Sequence, residues 1–308
     1  MRARRLPIAI FAAALVQACA GQAQAPRPPK TPKLFVDCRG ASSASPTVIL
    51  ESGAFGTAAD WDLVLDDLAK GGRVCAYDRS GVGSSPARPG GQDVVAIARE
   101  LKALLVQIGE DRPVILVGHS NGALYVETFA AMWPDQVAGL LYINGVNSDD
   151  LDHPDLLHDL TVESRLASIA AFSGAVGLAP QVSDVLTGLG GFSGEGARRK
   201  RQDLADPAAL RVARDEDRAV IDGLTTARRL GGSPADVPTA VIGGSTNPDA
   251  PLSRSWRAAE QTLARRASSR MIIEIPDATH TSPLVRDRAY VATAVAWLRT
   301  TARGLAAR

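Results

Sequence analysis

At 308 residues, 45% hydrophobic and 22% charged, the chain has the composition of an average soluble globular protein, with enough apolar material for one large domain or two small ones. Lysine and arginine number 34 against 33 aspartates and glutamates, a formal charge of +1, so no bulk field draws in nucleic acid or an anionic membrane. The sequence carries no internal repeat and no low-complexity tract.

The first residues, "MRARR", are basic, and the next 13, Leu6 to Ala18, are uncharged. Roughly 18 apolar residues are needed to cross a bilayer, so this stretch reads as the apolar region of a secretory signal and not as a span. The small residues of "ACAGQAQAP" supply a cleavage site, expected after Ala20, which makes residues 1–20 a signal peptide and the product periplasmic or extracellular. An alternative uses "VQAC" as a lipoprotein box, with Cys19 lipidated and the protein tethered to a bacterial membrane. A third leaves the segment as an uncleaved apolar helix. Residues 21–33, rich in proline and bases, read as a disordered lead-in. Loss of residues 1–20 removes Arg2, Arg4 and Arg5 and no acid, taking the formal charge from +1 to −2. Two cysteines then remain, Cys38 and Cys75. An even count in an exported chain permits one disulfide, although the count cannot say whether the two meet.

Seven short segments follow that are rich in valine and isoleucine: "KLFVDCRG", "TVILESG", "RVCAYDRSG", "PVILVGHS", "VAGLLYING", "PTAVIGG" and "RMIIEIPDATH". Most end in Gly, Asp or Ser, and they read as strands, several buried on both faces as in a parallel sheet. Between them, Trp61, Val64, Leu65 and Leu68 recur at helical spacing, as do Val95, Ala98, Leu101, Leu105 and Ile108. Gly71 and Gly109 mark the helix ends. Alternating strands and helices predict an α/β domain with a mostly parallel sheet. The alternation stops between about Asn147 and Pro238, where helical patches alternate with glycine-rich turns. The expected organisation is a core of residues 34–146 and 238–308 interrupted by a helical cap over residues 147–237.

Ser120 stands where the strand-like "PVILV" meets the helix-like "ALYVETFA", inside Gly118-x-Ser120-x-Gly122. A bare Gly-x-Ser-x-Gly is a weak signal, but this position between strand and helix is that of a nucleophile on a tight turn, where only glycine fits on either side. A serine at its free pKa needs a base. Of the four histidines, His119 neighbours Ser120 and is expected to point away from it, packing or making a local hydrogen bond. His153 and His158 open the helical insertion, where they pack, face solvent or line the cleft. His280 follows a strand directly, at the strand end where α/β sheets carry their sites, and is the candidate base. The acid that orients it is expected between the two in chain order. Asp249, in the loop after "PTAVIGG", is the first candidate; Asp149 and Asp150 are the alternatives, and Asp277 reads as part of a turn. Oxyanion donors are expected at the backbone N–H of Asn121, from the turn itself, and of Ala54, in the loop where Gly53 allows close approach.

These motifs together, "ESGAFG" with Trp61, "RVCAYDRSGVGSS", "VGHSNG" and the late "ATH", resemble the α/β-hydrolase superfamily from about Leu34 to Leu298. The resemblance implies an eight-stranded, mostly parallel sheet flanked by helices, with the second strand beside the fourth. "KLFVDCRG" would be the second and "RVCAYDRSG" the fourth, so it also implies a disulfide between Cys38 and Cys75. It makes "DRSGVGSS" a structural turn near the site. Two residues depart from the pattern of many relatives: Ser52 stands where they have His, and Asn144 where they have Asp, which directs the search for the acid toward Asp249. Serine at position 120 excludes the Asp-nucleophile relatives, haloalkane dehalogenases and epoxide hydrolases, as guides to mechanism.

The expected activity is a cofactor-free and metal-free serine hydrolase acting on an ester or similar small acyl substrate, with no nucleic-acid partner and no membrane span. The same residues would serve an aminopeptidase, a lactonase or a C–C bond hydrolase, and the scaffold could also carry a non-catalytic binding protein.

Overall fold

A computed structural model describes residues 33–306. The signal segment, its cleavage site, Cys19 and the lead-in up to residue 32 lie outside the described residues. Strands are β1 (Val36–Arg39), β2 (Val48–Glu51), β3 (Val74–Tyr77), β4 (Val114–His119), β5 (Val137–Ile143), β6 (Thr239–Ser245) and β7 (Arg270–Pro276). Helices are α1 (Asp62–Ala69), α2 (Val94–Gln107), α3 (Asn121–Met132), α4 (Pro154–Ser173), α5 (Ala179–Leu189), α6 (Gly194–Leu204), α7 (Pro207–Arg229), α8 (Pro251–Arg266) and α9 (Arg288–Ala306).

One sheet runs in the order β1-β3-β2-β4-β5-β6-β7, with β1 antiparallel to β3 and every other pair parallel. It therefore has seven strands among the described residues, not the eight that the resemblance implied. Every residue of β2, β3 and β4 is buried, because helices cover both faces and leave no side that tolerates polar alternation. Val48 and Leu50 pack with α1 and α9 through Leu65, Val291 and Leu298, while Ile49 between them packs with α2 and α3 through Leu101, Leu105 and Phe129. The period of two along the strand thus feeds two separate cores.

Cys38 of β1 lies opposite Cys75 of β3 in register, their Cα atoms 4.1 Å apart, and the two are joined by a disulfide. Asp93 caps α2 by accepting from the Ala96 N–H at 2.9 Å, and Gly109 ends the turn after it with φ +69°.

Between β5 and β6 the chain forms helices joined by short turns, with no strand. α4 and α5 run on as an apolar stretch, Pro154–Leu189, which is long and apolar enough to cross a membrane by length and composition. It is kinked at Gly177, whose φ is +93°, and its Leu160 packs on Val220 and Leu224 of α7. These helices sit over the C-terminal ends of β2, β3 and β4, where the side chains described next converge.

Candidate active site

Ser120 links β4 to α3 with φ 55° and ψ −128°, a conformation that non-glycine residues adopt only when their surroundings impose it. Its N–H donates to the Ile143 carbonyl at 3.1 Å, and its own carbonyl accepts from Ala123 at 3.0 Å and from Val146 at 3.1 Å. The flanking glycines are required by contact. A Cβ on Gly118 would lie 2.5 Å from the Ala123 Cα, and one on Gly122 would lie 2.7 Å from the Ser52 carbonyl oxygen. Among the described residues, four non-glycine residues have positive φ: Phe55, Ser120, Asn144 and Asp277. They follow β2, β4, β5 and β7 respectively, so the strained backbone gathers at one edge of the sheet, as stored strain does at functional sites.

The loop after β2 lies against Ser120. A Cβ on Gly53 would come within 2.7 Å of the Ser120 Cβ and 3.3 Å of its Oγ. Arg79, from the "DRSG" turn, is fully buried and donates to the carbonyls of Ser52 at 2.6 Å and Gly53 at 2.9 Å. It pairs with Glu51 at 2.8 Å and, across to the cap, with Glu216 of α7 at 2.7 Å. Lys200 of α6 takes the Phe55 carbonyl at 2.9 Å and pairs with Asp60 at 2.7 Å. With these carbonyls engaged on one side, the Ala54 N–H is left without a protein acceptor among the described residues, and so is the Asn121 N–H at the start of α3. The Ser52 hydroxyl, where many relatives have a histidine, accepts from the Trp61 indole at 2.8 Å and donates to the Thr57 carbonyl at 3.0 Å. The Asn121 amide donates to Asp217 of α7 at 2.7 Å. Burial, with Glu216 adjacent, pushes the Asp217 carboxyl up to about 7.

His280 faces the same two cavities as Ser120, without a direct hydrogen bond between them. Such bonds commonly tighten only with substrate in place. One cavity holds Ala54, Phe55, Leu186 and Lys200 on the oxyanion side; the other opens between β6, β7, α4 and α8. The His280 carbonyl accepts from Asn144 Nδ2 at 2.9 Å and from His119 Nε2 at 3.0 Å, and the two imidazole centroids are 4.8 Å apart. His119, expected to pack or make a local hydrogen bond, does both against the candidate base, and it also lines the oxyanion-side cavity. Because Nε2 meets a carbonyl, that nitrogen carries its proton. Protein crowding around His280, with His119 beside it, holds its pKa well below the ordinary histidine value, at about 3. It is therefore neutral near pH 7 and able to accept a proton.

No carboxylate lies within ion-pair distance of His280 among the described residues. Asp249 is exposed, its backbone carbonyl accepts from Arg254, and its side chain meets neither His280 nor either cavity. Asp149 is buried against Arg266, and Asp150 closes a capping box with Asn147. Asp277 forms the turn before His280, as expected. His153 and His158 line neither cavity. The structure thus brings together Ser120, His280, Ala54 and Asn121 and leaves the three candidate acids apart from them. Arg79, Lys200 and His119 were not singled out from the sequence as parts of the site; only the "DRSG" motif pointed toward one of them.

The profile of the Alpha/beta hydrolase family matches residues 48–294, and the chain belongs to that family. An AB hydrolase superfamily protein of Gibberella zeae is 30% identical over 149 residues, 44% of each chain. The RutD protein of Stutzerimonas stutzeri, provisionally described as a carbamate hydrolase, is 36% identical over 105 residues, 34% of this chain and 39% of its own. The chain thus spans less than half the length of these curated relatives. A thermophilic esterase from Thermogutta terrifontis superposes with TM-score 0.62 at 21% identity, covering 87% of this chain and 93% of its own. A loop variant of the haloalkane dehalogenase DbeA of Bradyrhizobium elkanii gives 0.67 at 19% identity, covering 89% and 99%. At these identities both share the fold.

Proposed function

We propose that the protein is a serine hydrolase that cleaves a carboxylic ester or related acyl substrate through an acyl-enzyme. The observation that carries the reading is the contact between the Gly53 loop and Ser120, which sets two unoccupied N–H donors around a strained serine. Ser120 Oγ attacks the acyl carbon while His280 takes its proton, and the oxyanion accumulates against the N–H groups of Ala54 and Asn121. His280 then protonates the leaving group as the acyl carbon–leaving group bond breaks. Water, deprotonated by the same imidazole, attacks the acyl-serine and frees the acid. Asn144 and His119 hold His280 through its backbone carbonyl, and the Ser120–His280 dyad carries the proton transfers without Asp249 in contact. The carbamate hydrolase description of the RutD relative is consistent with attack on an acyl carbon.

The same reading makes the enzyme an exported one, periplasmic or extracellular, from the first 20 residues and the Cys38–Cys75 disulfide, which oxidising compartments favour. Ser120→Ala tests the chemistry: turnover of p-nitrophenyl acetate should fall by about 10⁴-fold or more. Turnover within a few-fold of the parent would remove Ser120 from the reaction.

A further inference from the structure

The cavity between β6, β7, α4 and α8 has a volume of about 440 Å³ and reaches Ser120 and His280 at one end. Its wall carries four carboxyl groups: Asp159 and Glu163 of α4, Glu260 of α8 and Glu274 of β7. The one guanidinium among its lining side chains, Arg257, is already paired with Glu274 at 2.8 Å. Asp159, Glu163 and Glu274 reach solvent and alone would be an ordinary acidic surface.

Glu260 is different. It is only 8% exposed, its carboxylate lies against Gly243 of β6, and no hydrogen bond or ion pair reaches it among the described residues. Burying an unpaired carboxyl costs free energy that folding alone has no reason to spend. Burial, with Glu274 near it, pushes the group up to about 8. With no partner among the described residues, the Glu260 carboxyl is placed to receive one through the cavity that it faces. A neutral partner would serve a lone protonated carboxyl, but here three further carboxylates surround the same space and favour positive charge within it. Trp256, also on the wall, adds an aromatic surface of the kind that binds ammonium groups.

We propose that this cavity is a subsite for a cationic group, an ammonium carried by the leaving alcohol or by the acyl part of the substrate, with Glu260 as its buried counter-charge. Ionisation of Glu260 then accompanies ligand entry: the carboxyl gives up its proton to solvent, and the ammonium takes its place as partner. The inference rests on the serine hydrolase reading for the bond that is cleaved, but not for the binding of the cation.

Two measurements separate these parts. The first compares acetylcholine with its uncharged isostere, 3,3-dimethylbutyl acetate, as the ratio of their kcat/KM values, so that intrinsic reactivity cancels between parent and variant. That ratio should fall about tenfold in Glu260→Gln, the scale of a lost charge contact with a desolvated ammonium, and by a smaller factor in Trp256→Leu. The second titrates tetramethylammonium into Ser120→Ala by calorimetry, where no turnover is needed; binding should be measurable there and lost in Ser120→Ala/Glu260→Gln. An unchanged ester ratio without tetramethylammonium binding would overturn the proposal. So would an equal loss on both esters in Glu260→Gln, which would mean that Glu260 acts on the common chemistry and not on the charge. Tetramethylammonium binding that depends on Glu260, in a protein that hydrolyses neither ester, would uphold the subsite and refute the esterase reading.

Discussion

Between β2 and Ser120, the carbonyls of Ser52, Gly53 and Phe55 are taken by Arg79 and Lys200, and the glycines leave no space for a side chain. On the other side of Ser120, after β7, His280 is held by two bonds to its backbone carbonyl, with no carboxylate at its ring among the described residues and a cavity of about 440 Å³ beside it. The oxyanion side is thus determined from several directions, while the base side is open and built to accept something. The contrast suits a hydrolase whose oxyanion geometry is fixed in advance and whose substrate supplies what the other side lacks.

The largest effect expected from breaking the fixed side is on stability. Arg79→Met would leave Glu51 and Glu216 buried without their shared counter-charge, and denaturant unfolding should register a loss of about 3–5 kcal/mol. A loss under 1 kcal/mol would mean that the cap and the oxyanion loop are not coupled through this residue. Gly53→Ala acts more locally. Its Cβ would sit 2.7 Å from that of Ser120, so the loop must retreat, and kcat on an activated ester should fall by about 10²-fold or more with the fold intact by circular dichroism. A kcat within a few-fold of the parent would show that the loop has room to spare.

The open side is sharpened by pH. His280 is active when neutral, so kcat/KM is retained above its pKa and lost as pH falls through it. With that pKa held below the ordinary value by the protein around the ring and by His119, the acid limb should lie below about 6.5. A limb at or above that value would reveal a carboxylate partner at the ring. The smallest effect is expected from Asp249→Asn, which changes an exposed side chain that touches neither cavity and should alter kcat/KM by less than about twofold. A hundredfold loss would restore Asp249 as the residue that orients His280.

The two sides also differ in how far they could be read from the sequence. The elbow was legible because its requirements are local: Gly118, Ser120 and Gly122 answer to contacts within one strand, one helix and the Gly53 loop. The seven strands were legible from their buried, β-branched runs, and the Cys38–Cys75 bond followed once the resemblance ordered the strands. What tied the site to the cap was not legible. Glu216 meets Arg79 across 137 residues of sequence and Asp217 meets Asn121 across 96, and on an amphipathic helix such acids look like any solvated face. Chain order and a long loop allow Asp249 as the acid, but neither fixes where a side chain points. His119 packs and hydrogen-bonds as its place on the turn suggests, but that its partner is His280, which follows β7 161 residues later, is set by the tertiary fold.

The central claim is that Ser120 is a nucleophile activated by His280. A fluorophosphonate probe followed by peptide mass mapping tests it most directly. The account predicts a single adduct, on the peptide containing Ser120, formed at least about a hundredfold more slowly in His280→Ala. No adduct on the parent protein, an adduct on another residue, or labelling of Ser120 at the same rate in His280→Ala would contradict it.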